Sequence, residues 1–165
     1  MKHKNTKIKK IFSLYSIGIF ILFSLGVIFF VESIVVEGYK SKSIIERKKF
    51  TEGITSIAEG DIFRMNFSPA LKKLSSVIGI NGIVSVEILS KIKELPSDEN
   101  FKDYQIFYAP VWFSPDQKNL LAVVKAKFSR DDEILMINFI HIVESAILIA
   151  IILFLFTIHF IIRKE

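Results

Sequence analysis

The chain contains no cysteine. That absence removes a disulfide framework, a thiolate metal site and a cysteine nucleophile together, and it fits a domain held outside the cytoplasm that avoids redox chemistry. The three histidines, His3, His141 and His159, lie far apart in position or environment, with no second ligand at metal spacing. No phosphate-cradling glycine loop, zincin, nucleophile-elbow or serine–lysine motif occurs. The expectation is therefore a protein that is not an enzyme and carries neither metal nor cofactor. A basic stripe is missing as well. The net charge is +5, yet residues 32–140 hold fifteen basic and fifteen acidic side chains. The excess sits on Lys2, Lys4, Lys7, Lys9 and Lys10, while Glu144 and Glu165 cancel Arg163 and Lys164. That distribution argues against a nucleic-acid partner.

What the chain has in abundance is apolar residues: 51% are hydrophobic and the mean hydropathy is +0.44, although 24% are charged. Both hold only if the apolar residues are segregated. Ile11–Val31 is one such run, twenty-one residues without a charge. As a helix it measures about 31 Å, which matches a hydrocarbon core of about 30 Å. Ser145–Ile162 is a second, with His159 as its only titratable group. Upstream of it, Ile134–Val143 is mostly apolar, so the second helix begins outside and runs inward. The first run exceeds the 7–15 residues of a signal-peptide core and no small-residue cleavage site follows, which favours an uncleaved anchor.

Lysines flanking the first run and Arg163-Lys164 after the second read as cytoplasmic retention. The expected organisation is a basic cytoplasmic tail over 1–10, a transmembrane helix over 11–31 and an extracytoplasmic domain over 32–140. A second transmembrane helix over 141–162 and a cytoplasmic end over 163–165 complete it. The lipid bilayer is the first partner implied, and the heavy use of Ile, Lys, Phe and Asn points to an A+T-rich bacterial genome.

Within the middle segment, Ile44, Ile45, Phe50, Ile54, Ile57 and Ala58 recur at mostly helical spacing, with Gly60 as the expected stop. Such a helix either packs on the domain or forms a rigid stalk continuous with the first span, and one helix can do both. Ser68 as N-cap with Pro69 behind it starts a second helix that carries Leu71, Leu74, Val77 and Ile78 and closes at Gly79. After the Asn81-Gly82 turn the period changes to two. Ile83–Ser90 reads as a strand with Val84, Val86 and Ile88 on its inner face, Ile92–Leu95 as a short second strand and Pro96–Asp103 as a loop. Tyr104–Phe113 is a strand bent at Pro110, and Ser114–Asn119 a hairpin connection. Leu120–Ser129 is the last strand, with Ala122, Val124, Ala126 and Phe128 facing one way and Val123, Lys125 and Lys127 the other. Asp131-Asp132-Glu133 opens the returning helix with carboxylates at its positive end. The fold class is α+β, helices over an antiparallel sheet, flanked by two transmembrane helices.

Asn81–Ile88, Tyr108-Ala109-Pro110-Val111, and Leu120–Ser129 followed by Arg130–Glu133 together resemble the turn and strands of the Cache group of PAS-like extracytoplasmic sensor domains. The resemblance covers residues 33–140. It implies a PAS/Cache-like antiparallel sheet with a long N-terminal helix, of the kind found in membrane-bound sensor kinases and chemoreceptors. It further implies a homodimer in the cytoplasmic membrane, a small-molecule ligand, and signal transduction to a cytoplasmic output. Family members continue beyond the second span into a linker or output domain, whereas this sequence ends at Arg163-Lys164-Glu165. The output is then either a partner chain or a domain missing from a fragment. The arginine and tryptophan pairing of amino-acid-binding relatives is not recognisable. An assembly subunit whose outer domain binds another envelope protein is the alternative.

Candidate ligand-binding residues follow from composition. Tyr104, Phe107, Tyr108, Trp112 and Phe113 cluster on one strand. They build a core, or Tyr104, Tyr108 and Trp112 line a pocket. Arg64, a charge inside Phe63-Arg64-Met65-Asn66-Phe67, either anchors a carboxylate ligand or snorkels to water. His141 and Glu144 lie three apart on one helix face near the outer boundary, where a carboxylate costs less than at mid-bilayer.

Overall fold

The computed structural model describes the backbone of residues 2–113 and 119–164, and the side chains of residues 15–113 and 119–161. Most of the expected hairpin connection over 114–119 lies outside the described residues, as do the side chains of the basic tail and of Arg163-Lys164-Glu165. Helix α1 covers Lys2–Phe30, a π-helical turn Val31–Val36, and helix α2 Glu37–Phe63. Helix α3 covers Phe67–Ser75, and a 3₁₀ turn over Ile80–Gly82 precedes strand β1, Ile83–Ser90. Strands β2, Glu99–Asn100, β3, Tyr104–Trp112, and β4, Leu120–Ser129, lead into helix α4, Asp131–Lys164. The chain forms two compact units, Met1–Tyr39 with Met136–Glu165, and Lys40–Leu135.

The first unit is built from the apolar parts of α1 and α4. Among the described residues, two helices are long and apolar enough to cross a membrane. Tyr15, Leu22, Phe23 and Phe29 of α1, like Ile142, Leu153 and Phe156 of α4, are exposed. Apolar side chains left bare all round a helix belong in an apolar medium. Phe20 and Phe154 stack at 5.8 Å between ring centroids, and the buried Ser24 hydroxyl donates to the Phe20 carbonyl at 2.7 Å.

The second unit is α+β. Its sheet is antiparallel in the order β1-β4-β3-β2. Thr51, Ile54, Thr55, Ala58 and Ile62 bury one stripe of α2, and Ala70 and Leu74 one side of α3. Together they cover Phe107, Val111, Ala122, Val124, Ala126 and Phe128, with Phe107 and Phe128 meeting edge to face at 5.7 Å. The opposite face carries a smaller cluster of Ile106, Tyr108 and Val123, flanked by Leu89, Ile92, Tyr104 and Leu120. The alternation expected for β4 holds from Ala122 to Phe128 and breaks at Leu121, which packs on the helix-facing side beside Ala122.

Several local expectations need correction. Gly60 does not stop α2. The helix runs to Phe63 and ends on Met65 at φ +56°, with Met65 N–H donating to Ile62 O and Asn66 N–H to Asp61 O, both at 2.9 Å. That is a Schellman motif with methionine where glycine is usual. Helix α3 starts one residue before Ser68, with Asn66 as N-cap and no side-chain cap bond. Beyond Ser75, bonds of the i→i−3 kind carry the chain round to Gly79 at φ +88°. Val84 does not face the core. A bulge between Ile83 and Ser85 turns Ile83 inward and leaves Val84 51% exposed, because one extra residue reverses the pleat. Ile92–Leu95 forms no strand; the short strand is Glu99–Asn100, paired with Ile106 and Gln105. Strand β3 ends at Trp112, and its irregularity falls between Val111 and Trp112, after Pro110.

Phe128 is fully buried at the centre of the helix-facing core, whereas Phe113 is exposed. Phe128→Ala should destabilise the unit by about 3–5 kcal/mol, and Phe113→Ala should stay within about 0.5 kcal/mol. Denaturant unfolding of the two variants tests the contrast.

Candidate functional site

A single buried carboxylate organises one end of the second unit. Glu133, in the first turn of α4, is 1% exposed, and so is Gln105 near the start of β3. Arg47 of α2 reaches both, its Nη1 donating to Gln105 Oε1 at 2.5 Å and to Glu133 Oε2 at 3.3 Å. Arg130, between β4 and α4, donates from Nη2 to Glu133 Oε1 in a very short contact and from Nη1 to Asn100 Oδ1 at 3.2 Å and Phe101 O at 2.8 Å. Gln105 Nε2 also donates to Asn100 Oδ1, at 3.3 Å, and Ser43 Oγ to Glu133 Oε2 at 3.5 Å. The Arg47 guanidinium lies 5.9 Å from the centroid of the Phe128 ring. Two cations thus share one anion, and neutral acceptors take further bonds from the Nη1 of each, while Arg130 Nε is buried without a hydrogen-bond partner. The cluster joins α2, β2, β3, the end of β4 and the start of α4 through side chains and the Phe101 carbonyl.

The outer sheet face holds the expected aromatic residues. Tyr104, Tyr108 and Trp112 alternate along β3 away from the helices. Tyr108 is buried, and its hydroxyl donates to Glu99 Oε1 at 2.7 Å while its backbone N–H donates to Asp98 Oδ1 at 3.0 Å. Burial first, then the bond to Glu99 and the nearby charges of Glu87 and Asp98, push the Tyr108 phenol up to about 12. The Lys48 ammonium is raised by its 2.8 Å bond to the Asp98 carboxylate. Tyr104 lies under the Lys127 ammonium at 3.9 Å and against Phe101 at 4.5 Å. Trp112 is half-buried. Lys125 pairs with Glu87 at 3.1 Å. Arg64 is exposed in the turn after α2, the helix that packs on the other sheet face. The four candidate residues therefore do not converge: three share the outer face and Arg64 stands apart.

The ion cluster was not foreseen. Its one legible trace was Gln105, a polar residue in the inward series with Phe107, Ala109 and Val111. Arg47, Arg130 and Glu133 sit in segments that read as ordinary charged surface, and only folding brings them together. Among the described residues, no group of three His, Cys, Asp or Glu side chains is arranged to hold a metal ion. Comparison with protein-family models, with curated proteins and with solved structures found no match to this chain.

Removing one member of a buried ion cluster strands the others in a poor solvent. Glu133→Ala should therefore cost about 3–5 kcal/mol, whereas Glu87→Ala, at an exposed pair, should cost at most about 1 kcal/mol; denaturant unfolding separates them. Tyr108 has its proton held more tightly folded than unfolded, so its contribution is complete below pH 10 and is lost as pH rises towards 12. In an alkaline absorbance titration, the tyrosinate signal lost on Tyr108→Phe should be the one that appears near pH 12.

Proposed function

We propose that the chain is a non-enzymatic signal-transducing sensor of a bacterial cytoplasmic membrane. In this reading the second unit lies outside, both termini lie in the cytoplasm, and the chain works as a homodimer. A small ligand or a partner binds the outer unit and shifts the helices that lead to the two spans. One observation carries the reading: two helices long and apolar enough to cross a membrane bracket, in chain order, an α+β unit whose α2 and α4 meet in one buried ion cluster. The α+β architecture agrees with a Cache-like domain at the level of class. A shift needs two states with different ligand affinity, and a buried cluster that ties α2 to the first turn of α4 makes those two helix ends move together.

The alternative is an envelope assembly subunit that binds another protein. Ile57, Met65, Ile78, Ile80 and Val84 are exposed apolar side chains of the second unit, and a protein partner is the occupant that would cover such residues if they form one patch.

Trp112 is the single tryptophan, so its fluorescence reports on the outer sheet face directly. The full chain in lipid nanodiscs should be screened by thermal shift and by fluorescence against amino acids, small carboxylates and nucleobases. A ligand at a hundred times its Kd should add about 2.7 kcal/mol of stability. A hit that perturbs Trp112 and is lost on Tyr104→Ala puts the ligand on the aromatic face, and one lost on Arg64→Ala puts it at the end of α2. A stable protein without any hit favours the assembly subunit.

A further inference from the structure

We propose that His141 is a proton-operated clamp between the two apolar helices of the first unit. The imidazole lies between two carboxylates from different elements. Its Nδ1 is 3.1 Å from Glu144 Oε2, one turn further along α4, and its Nε2 is 3.8 Å from Glu32 Oε1. Glu32 belongs to the π-helical turn Val31–Val36, where Glu37 N–H donates back to Glu32 O. Such turns are rare and are found frequently at functional sites. Val36, in the same turn, is buried. The Glu144 side chain is only 14% exposed, and its second oxygen, Oε1, is buried without a hydrogen-bond partner.

The proton bookkeeping of imidazole makes this arrangement two-state. A neutral ring has one N–H and one lone pair. It can donate to Glu144 or to Glu32, and the other nitrogen then faces a carboxylate lone pair to lone pair. Only the charged ring carries an N–H at both nitrogens, so it bonds Glu144 and at the same time attracts Glu32 as an ion pair, at a separation too long for a hydrogen bond. The bond to Glu144 lies within α4, so it holds the ring in place. The contact with Glu32 is the one that joins the helices, and it is the one the neutral ring forfeits when its N–H is used on Glu144. The contact is open, with the His141 side chain 44% and the Glu32 side chain 48% exposed, and Ile34, Val35, Phe139 and Ile142 beside them in sequence are exposed apolar side chains. Glu32 and Glu144 are the charged groups that face the ring, one from each helical element.

The inference rests on the pairing of the two helices and does not depend on the sensor reading. Because the chain has no cysteine, single cysteines at Val35 and Phe139 allow spin labels to be placed on the two helices of the full chain in phosphatidylcholine nanodiscs. Inter-label distances are then measured between pH 5 and pH 8, the interval in which an imidazole changes charge. The expected result is a narrow distribution at pH 5 that broadens at pH 8. His141→Gln and Glu32→Gln should remove the pH dependence, His141→Lys should keep the distribution narrow throughout, and His159→Gln should leave the transition intact. A distribution that does not change with pH, or a transition that survives His141→Gln, overturns the proposal.

Discussion

The second unit depends on neutralising one carboxylate that has no access to water. Glu133 sits at the start of α4, and its charge is tolerable there only because Arg47 and Arg130 approach from two directions. Arginine suits this task where lysine would not. A planar fork can divide its donors between Gln105 Oε1 and Glu133 Oε2 while its face rests near the Phe128 ring. The same geometry orients three further elements, since Gln105, Asn100 and Phe101 accept or relay other bonds. A hydrophobic replacement of similar volume is often as stable as a buried ion cluster. What such a cluster supplies beyond stability is a defined register, here between α2, the open end of the sheet and the first turn of α4.

The sheet is covered on one face by helices and on the other by little more than the β1–β2 connection. That difference decides how each residue type is used. Towards α2 and α3 the strands present Phe107, Val111, Ala122, Val124, Ala126 and Phe128 without interruption. On the far face apolar residues alternate with amphipathic ones, so Tyr108 buries its ring and directs its hydroxyl to Glu99, while Lys127 covers Tyr104. Pro110 fits β3 because β2 flanks that strand only opposite Gln105 and Ile106. The rest of that side is an edge, where a missing N–H costs nothing in the ladder.

The parts legible in the sequence were those governed by local periodicity. Both apolar helices, the inward series of β4 and the acidic start of α4 follow from spacing, and these account for the α+β class. The errors share one physical cause, which is that neighbours distant in sequence decided the outcome. Val84 was misread because the bulge that exposes it is set by pairing with β4. Gly60 was misread because a helix held by Ile54, Ala58 and Ile62 against the sheet outweighs a cost of about 1 kcal/mol for one interior glycine. The ion cluster was invisible for the same reason: Arg47 and Glu133 are separated by most of the domain, and neither carries a local mark of burial. Arg64 looked exceptional in its apolar setting, yet it occupies an exposed turn.

Helix α4 makes the contrast between the two units physical. Its first turn is fixed by charge, through Glu133, and from Met136 onward it is almost wholly apolar. Apolar helices in lipid gain little from hydrophobic burial against each other, so packing and the few polar contacts between them decide how they pair. Among the described side chains, the Phe20–Phe154 contact and the Glu32–His141 contact are of this kind. The first is indifferent to conditions, whereas the second changes strength with a single proton. A helix anchored at one end by a buried cluster that strongly resists rearrangement, and contacted further along by an adjustable one, has one part suited to hold register and another suited to alter it.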